Sequence, residues 1–149
     1  MDFAETDEQA MIRDMVRDFA ETVAGPSCRQ RDKEQRPPID EFKEFAGLGF
    51  AGMTISEKYG GAGMDTVAYA LAVMELAKVD ASLAITMSAH TSLGTVPIVL
   101  TGTEEQKQKW VPLLASGKIL GAFGLTEPEA GSDAGSTRTA AVKDGDHYV

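Results

Sequence analysis

The sequence has 149 residues, of which 43% are hydrophobic and 25% charged, a composition typical of one soluble globular domain that can bury a core. Its net charge of −9 argues against nucleic acid or an anionic membrane as a general partner, although a site can still be locally positive. The single cysteine, Cys28, excludes an intrachain disulfide, and the acidic N-terminus lacks a secretion-signal pattern, so we expect a cytoplasmic protein or a processed mitochondrial matrix form.

The chain begins with the pattern of an amphipathic helix. Thr6 and Gln9 have the spacing of a capping box, in which each side chain bonds the backbone N–H of the other residue. Gly25 and Pro26 predict the end of this helix. Apolar residues recur between these limits at the spacing of one helical face: Ile12, Met15, Val16, Phe19 and Val23.

Two shorter segments follow. Residues 29–36 mix both charges and predict a solvated helical turn. Phe42, Phe45 and Leu48 mark a second short helix that closes at residues 47–49. The glycine-rich run at residues 53–64 matches neither a phosphate-binding P-loop nor a dinucleotide fingerprint, so it predicts a tight connection between helices.

The middle of the chain predicts buried helices. Residues 66–79 are apolar nearly all round, and Asp80 can cap the helix that follows. Residues 81–102 carry no formal charge unless His90 is protonated, and this length would suit a membrane span. Several hydroxyl side chains and the lack of a basic flank favour instead a buried helix, kinked or ended near residues 94–97.

His90 is the histidine of this uncharged stretch. Because no second titratable residue is spaced to meet it, we expect a core histidine bonded to a neighbour rather than a catalytic one. Further on, Thr103 and Gln106 have the spacing of another capping box, and Gly117 is suited to end the helix that they begin. The apolar face of this helix is predicted to hold Trp110, Val111, Leu113 and Leu114.

Residues 119–126 are the first stretch that favours a β-strand. They carry no charge and lead into Glu127 and Pro128, where proline has no N–H with which to continue a ladder. The small residues that follow, among them Gly131 and Ser132, let a backbone approach a ligand closely and direct amides at an anion. A polar surface turn is the alternative interpretation, because short motifs have many false matches.

The end of the chain also predicts strands. Residues 137–142 alternate as in a half-buried strand, residues 143–146 predict a hairpin turn, and residues 147–149 begin the returning strand. We therefore expect an α+β protein, with an all-helical domain at residues 1–118 and the start of a β-domain at residues 119–149. Because so few strands have no closed core, we expect the rest of that domain to be missing from this chain.

The run LTEPEAGSD at residues 125–133 resembles the signature of the acyl-CoA dehydrogenase family. The resemblance extends in order over essentially the whole chain, through the first helix and through EKYGG at 57–61, ELAK at 75–78 and GTEEQK at 102–107. Members fold as an N-terminal helical domain, a barrel-like middle β-domain and a C-terminal helical bundle. The resemblance thus implies that residues 119–149 open the middle domain and that the bundle is absent.

The resemblance also implies a cofactor and a reaction. Family members use FAD to oxidise the Cα–Cβ bond of an acyl-CoA thioester to the trans-2-enoyl-CoA, as in fatty-acid β-oxidation, and pass the electrons to an electron-transfer flavoprotein. On the matching positions, Phe123, Gly124, Leu125 and Thr126 would lie along the flavin. Leu125 and Thr126 would bond its polar edge, where backbone donors stabilise charge on the reduced ring.

The second half of the signature would meet the phosphates. Gly131 and Ser132 would face the pyrophosphate and the CoA side, and Ser132 would contact both FAD and the substrate. Glu127 and Glu129 are candidate bases within this chain, but an exposed turn offers nothing to raise their pKa towards the working range of a base. In the family the base lies in the C-terminal bundle, so we expect no catalytic residue in this chain, which alone should be inactive and bind FAD poorly.

Two alternatives remain open at this point. One is a flavin oxidase or monooxygenase on the same scaffold, and the other is a non-catalytic helical interaction module. The run SAHTSLGTVPI at residues 88–98 is most similar to short-chain, butyryl-CoA dehydrogenase-like members. Because members are usually tetramers, we expect a homo-oligomer when the protein is complete.

Overall fold

The computed structural model describes residues 4–149. The α-helices of this part of the chain are α1 (Asp7–Phe19), α2 (Gly25–Glu34), α3 (Ile39–Gly47), α4 (Thr66–Val79), α5 (Ala81–Ala89), α6 (Val96–Thr101) and α7 (Glu104–Ala115). Two-residue strands form at β1 (Lys143–Asp144) and β2 (His147–Tyr148). Short 3-10 turns occur at Phe50–Gly52, Glu57–Tyr59 and Ala134–Ser136. The described chain is therefore largely helical up to residue 115.

Helix α1 begins at the predicted capping box. The Gln9 N–H donates to Thr6 Oγ1 at 3.2 Å, and the Thr6 N–H donates to Gln9 Oε1 at 3.0 Å. The face that carries Ile12, Val16 and Phe19 is buried, as the apolar spacing predicts, and it packs on α4. The start of the first helix is therefore confirmed.

The predicted end of α1 is wrong. A π-helical turn, Ala20–Ala24, carries the chain directly into α2, and the Gly25 N–H donates to Ala20 O. The wider turn accommodates the next residue, Pro26, which has no N–H to donate and whose ring would crowd the carbonyl of a regular helix. Glycine suits position 25 for a separate reason, because a Cβ there would lie 3.1 Å from Val79 Cγ1.

Residues 29–36 lie in the second half of α2 and the turn after it, and seven of the eight are exposed, in agreement with the predicted solvated helical turn. The exception is Arg31, which is only 3% exposed. Its guanidinium donates to Glu41 Oε1 at 2.8 Å and to Asp80, so it joins α2, α3 and the start of α5. Such a buried charge is tolerated because carboxylates pair with it.

The main core lies where α3 and the turn after it meet α1, α4 and α5. The Phe45 ring stacks on Phe50 with centroids 4.6 Å apart, and Phe19 approaches Phe45 at 5.1 Å. Phe42 is also buried, so two of the three residues predicted to mark α3 form its inner face. The third, Leu48, is 53% exposed because it follows the end of the helix.

Residues 81–101 form one continuous helical stretch, so of the two predicted alternatives, a kink or an end near residues 94–97, the end is wrong. Asp80 caps α5 as predicted, because its Oδ1 accepts from the Leu83 N–H at 3.1 Å. A second π-helical turn, His90–Thr95, precedes α6 and again comes just before a proline, Pro97. By length and apolar composition alone the stretch could cross a membrane, but core helices pass the same test, and Met87 and His90 are packed inside the described chain.

Helix α7 also starts and ends as predicted. The Gln106 N–H donates to Thr103 Oγ1 at 3.2 Å, and the Thr103 N–H donates to Gln106 Oε1 at 2.8 Å. After the last turn, Gly117 adopts a φ of +67°, a conformation that favours glycine. Val111 is buried, whereas Trp110 is 41% exposed and lies outside the core face that the sequence assigned to it.

The last thirty or so residues differ most from the prediction. Strands β1 and β2 pair antiparallel, with Lys143 opposite Tyr148, around the predicted turn. Residues 119–126 and 137–141 form no strands, because the described chain offers them no neighbouring strand with which to build a ladder. Val142 extends the hairpin, because it exchanges both backbone hydrogen bonds with Val149 at 2.9 Å. The helical part of the predicted α+β fold is thus present, while a barrel-like β-domain is not seen in residues 4–149.

Candidate functional site

The segment that carries the signature is attached to the helices through His90. The Gly121 N–H donates to His90 Nδ1 at 2.9 Å, and His90 Nε2 lies 3.1 Å from Leu114 O. Because Nδ1 accepts, the proton sits on Nε2, and the ring is the neutral tautomer that donates to the carbonyl. Burial lowers the pKa of His90, with the bond to Leu114 acting in the opposite direction.

The prediction of a core histidine bonded to a neighbour is therefore confirmed. The same contact is reinforced by a close approach of two glycines, because a Cβ on Gly94 would lie 2.6 Å from Gly121 Cα. A Cβ on Gly121 would in turn lie 2.9 Å from Gly94 Cα. The π-helical turn and residue 121 therefore fit together only because neither has a side chain.

Beyond this attachment, the chain leaves the helices. Residues 123–139, which we call the signature loop, are exposed apart from Glu127, which is half-buried, and Ala130, which is buried. Phe123 is 54% exposed and Leu125 44%. Large apolar side chains that are exposed to this extent indicate a surface that a ligand or a further part of the protein covers.

A tight turn follows Thr126. The Glu127 N–H donates to Ala130 O at 2.9 Å, and the Ala130 N–H donates to Glu127 O at 3.2 Å. Pro128 and Glu129 occupy the corner, which suits a residue that has a fixed φ and no N–H. The abrupt change of direction expected at Pro128 is therefore present, although no strand precedes it.

The side chain of Glu127 holds the far end of the loop. Its Oε2 accepts from the Arg138 N–H at 2.8 Å, and its Oε1 accepts from the Thr139 N–H at 3.0 Å. These amide bonds, the one from Arg138 first, lower the pKa of Glu127. Glu129 forms a different contact, an ion pair in which Arg138 Nη1 lies 2.6 Å from its Oε2 on the exposed side.

The predicted phosphate-facing residues lie between these two ends. The backbone N–H groups of Gly131 and Ser132, like the hydroxyls of Thr126 and Ser132, form no hydrogen bond within residues 4–149. By contrast, Ser136 Oγ bonds Asp133 Oδ2 at 2.5 Å, and the Ser136 N–H bonds Asp133 O at 3.1 Å. The loop thus has an internally bonded part and a part whose donors remain available.

The available part fits a flavin nucleotide. A Cβ on Gly124 or Gly131 would meet nothing within 4 Å, and neither glycine has a φ that favours glycine, so nothing in the described chain requires glycine there. Free amides suit a pyrophosphate, and an exposed aromatic ring beside free hydroxyls suits a flat polar ring system. The predicted residues are therefore brought together on one loop, and they are chemically suited to hold FAD.

Neither carboxylate of the turn is suited to be a general base. The lowered pKa of Glu127 keeps it ionised but commits both oxygens to amides, and Glu129 is paired with Arg138. Elsewhere, Lys58 and then Gln108 lower the pKa of Glu104 to about 2. Groups of acidic, histidine or cysteine side chains that could hold a metal ion are absent from the described residues.

A cavity of about 610 Å³ lies beside the junction of α2 and α5, and its lining includes no residue of the signature loop. Arg31 and Asp80 form part of its wall, and both are already paired with each other. Glu41 completes the cluster through Oε1, while its Oε2 is buried without a partner among the described residues. This cluster joins three helices, and its two carboxylates share the one guanidinium of Arg31.

Comparison with known proteins identifies the class. The model of the family described as "Acyl-CoA dehydrogenase, N-terminal domain" matches residues 6–118, which is most of the chain. The chain therefore belongs to the acyl-CoA dehydrogenase family.

Individual members and solved structures are similar to this chain over nearly its whole length. The short-chain specific acyl-CoA dehydrogenase of Clostridium acetobutylicum is 48% identical over 100% of this chain and 39% of its own length. A chain of the structure described as the electron transferring flavoprotein of Acidaminococcus fermentans is 47% identical with a TM-score of 0.96, over 100% of this chain and 39% of that one. The acyl-CoA dehydrogenase of Bacillus anthracis complexed with FAD is 38% identical with a TM-score of 0.90, over 97% of this chain and 26% of that one.

The chain thus spans about 39% of the length of the first relatives that it matches. The helical fold before the signature loop is common to these structures, as the TM-scores of 0.96 and 0.90 show.

Sequence reasoning missed two groups of residues. The Arg31 cluster depends on partners that lie 10 and 49 residues away along the chain, so no local pattern shows it. The role of Glu127 was also missed, since it depends on amides 11 and 12 residues further on. The sequence does show a charged residue directly before Pro128. That pattern was interpreted only as a possible general base and not as an acceptor for backbone amides.

Proposed function

We propose that this chain is the N-terminal part of an FAD-dependent acyl-CoA dehydrogenase, which oxidises the Cα–Cβ bond of an acyl-CoA thioester to the trans-2-enoyl-CoA. One observation carries the proposal. A loop with the family signature leaves its donors and two unconstrained glycines, Gly124 and Gly131, open on a fold of that family. Its solved relative from Bacillus anthracis binds FAD, which supports the same cofactor here.

The proposed roles follow the order of the loop. Phe123 and Gly124 lie along the flavin, Leu125 and Thr126 bond its polar edge, and the exposure of all four is consistent with this. The open space at Gly124 allows a ring system to lie directly on the backbone. When bound, FAD supplies the hydride acceptor, while these residues orient it and keep water from that edge.

The proposed phosphate contacts come next. Gly131 and Ser132 donate backbone N–H groups to the pyrophosphate, and the Ser132 hydroxyl reaches both FAD and the acyl-CoA. Like several other donors of the loop, these have no acceptor within the described residues. We propose that the base that removes the α-proton belongs to a part of the protein outside this chain, because Glu127 and Glu129 are both committed to other contacts.

The proposed organisation has a helical domain at residues 1–118, followed at residues 119–149 by the opening of a barrel-like middle domain. A neighbouring strand supplied by that domain would give residues 119–126 and 137–141 the ladder partners that they lack here. We further propose a short-chain acyl-CoA as substrate, an electron-transfer flavoprotein as acceptor, a homotetramer as the complete form, and a cytoplasmic or mitochondrial matrix location. The similarity to the Clostridium acetobutylicum and Acidaminococcus fermentans proteins supports the substrate and the acceptor.

The test uses the complete polypeptide that contains this chain. Anaerobic addition of butyryl-CoA is expected to bleach its flavin absorbance, with crotonyl-CoA as the product by mass spectrometry. A long-chain acyl-CoA at the same concentration should bleach it more slowly. Flavin that stays oxidised with every acyl-CoA would contradict the proposed reaction.

The same preparation separates the alternatives. A dehydrogenase should consume little oxygen during turnover and should reduce an electron-transfer flavoprotein instead. Rapid oxygen consumption with each substrate molecule would indicate an oxidase or monooxygenase. A protein without flavin would indicate an interaction module.

A further inference from the structure

The side chain of Glu127 joins the two ends of the signature loop through backbone amides. The Glu127 carboxylate accepts from two successive backbone amides, those of Arg138 and Thr139, at 2.8 and 3.0 Å. Each oxygen takes one amide, so the carboxylate bridges two points of the chain that are 11 and 12 residues apart. Bonds from amides to an ionised carboxylate are stronger than those between neutral groups.

The closure surrounds the part of the loop that has free donors. Gly131 and Ser132 lie between the turn at Glu127 and the two amides that its side chain holds. Exposed loops without such internal bonds occupy many conformations, and binding has to order them at a cost in free energy. A loop that is already closed binds its ligand with less of this cost.

The direction in which the Glu127 carboxylate points also affects the binding of an anion. A free carboxylate next to a pyrophosphate would repel it, yet both oxygens of Glu127 face backbone N–H groups instead. The loop has two other acids. Glu129 contacts only the Arg138 side chain, and both partners are more than two-thirds exposed, while Asp133 bonds Ser136, only three residues away. Of the three acids, only Glu127 joins distant parts of the loop through backbone amides.

We propose that Glu127 is a positioning residue for FAD, which holds the amides of Arg138 and Thr139 so that the free N–H groups of Gly131 and Ser132 are arranged for the pyrophosphate before it arrives. This inference rests on the proposed function of the signature loop. It assigns Glu127 no part in proton transfer, and its effect on the cofactor is exerted through the backbone.

The test compares Glu127→Ala, Glu127→Gln and the control Glu129→Ala in the complete protein. Alanine removes both acceptors, whereas glutamine keeps one carbonyl oxygen and loses the charge. In the protein stripped of cofactor, deuterium exchange of a peptide that contains residues 138–139 should be fastest with alanine and intermediate with glutamine. The Glu129→Ala variant should exchange like the wild type there, because it leaves the backbone bonds intact.

The second measurement is reconstitution with FAD. We expect the FAD dissociation constant to rise about tenfold in Glu127→Ala, the effect of one lost charge-assisted bond, and less in Glu127→Gln. Turnover per bound FAD should stay within about twofold of the wild type, because Glu127 touches no reacting atom. Glu129→Ala should change neither quantity.

Several results would overturn the inference. One is unchanged exchange in Glu127→Ala, and another is faster exchange with unchanged FAD affinity. A large loss of turnover at full FAD occupancy would show instead that Glu127 takes part in the chemistry. A wild-type protein that binds no FAD would defeat the proposed function itself, whereas equal FAD binding by wild type and Glu127→Ala would defeat only the positioning role.

Discussion

The helices up to residue 115 and the signature loop satisfy their polar groups in opposite ways. In the helical part, Arg31 is paired with two carboxylates, and both ring nitrogens of His90 have partners, although these side chains are almost completely buried. In residues 123–139 only Ala130 is buried, and the donors of Gly131 and Ser132 have no acceptor within residues 4–149. The helical sequence is thus explained by contacts within the chain, whereas the loop sequence needs contacts from outside it.

The largest effect should come from breaking the buried cluster of the helical part. Asp80→Ala removes one charge-assisted bond to Arg31, which keeps Glu41, and also removes the cap of α5, so we expect a loss of about 2–4 kcal/mol in the free energy of unfolding by urea. Asp65→Ala is the control, because Asp65 caps α4 and accepts a bond from Gln9 but pairs with no buried cation, and it should cost about 1–2 kcal/mol. Equal losses in the two variants would mean that the cluster adds no stability.

The next effect concerns the contact between the two regions. His90→Phe keeps an aromatic ring but leaves the Gly121 N–H without an acceptor, which should cost about 1–3 kcal/mol in urea unfolding. Leu114 O keeps the N–H of Gly117 as a partner, so it adds little to the loss. A variant as stable as the wild type would show that this bond does not hold the loop to the helices.

The same histidine predicts a dependence on pH. Its pKa in the folded protein is lowered from 6.5, so on acidification the unfolded chain takes up the proton first and folding becomes less favourable. Stability should therefore fall as the pH drops below about 6.5, and this part of the slope should be missing in His90→Phe. If the stability of the wild type and of His90→Phe depended on pH in the same way, the neutral state of the His90 ring in the folded protein would be contradicted.

Two glycine substitutions, one in the helical part and one in the signature loop, compare these two regions directly. Gly94→Ala places a Cβ 2.6 Å from Gly121 Cα, and such overpacking should cost about 1–3 kcal/mol. Gly131→Ala meets nothing within 4 Å, so its thermal midpoint without cofactor should match the wild type while its affinity for FAD falls. If Gly131→Ala bound FAD as tightly as the wild type, the open space there would have no link to the cofactor.

The smallest effect should come from the exposed ion pair of Glu104. Lys58 lowers the pKa of this carboxyl to about 2, so the stability that the pair contributes is present above the ordinary value of 4.5 and is lost as the pH falls towards 2. Glu104→Gln should therefore reduce stability slightly at neutral pH and converge with the wild type near pH 2. Surface pairs of this kind contribute little, and a large change at pH 7 would be unexpected.

The sequence predicts local features of the fold well, for a physical reason. Capping boxes at Thr6 and Thr103 and the cap at Asp80 depend on residues three positions apart, so their chemistry can be recognised from spacing alone. The end of α1 was mispredicted because a π-helical turn accommodates Pro26, and no sequence signal distinguishes this from a break. The predicted strands needed partner strands that the described chain does not have.

The candidate site was predicted from a family resemblance, not from the spacing of residues within one element. The residues of the signature were recognised as a group, and the structure places them together on one open loop, but their roles towards FAD stay predictions. The contact of Glu127 with Arg138 and Thr139 could not be predicted, because it depends on how the loop returns past Asp133. The shape of a loop that lacks regular structure is set by such individual bonds.

The central claim is that the signature loop is open because it holds FAD. The most direct measurement is the FAD content of the complete protein, determined after purification, removal of the cofactor and reconstitution with excess FAD. The account predicts one FAD for each polypeptide and a lower affinity in Gly131→Ala without loss of folding. A correctly folded complete protein that takes up no FAD would contradict it.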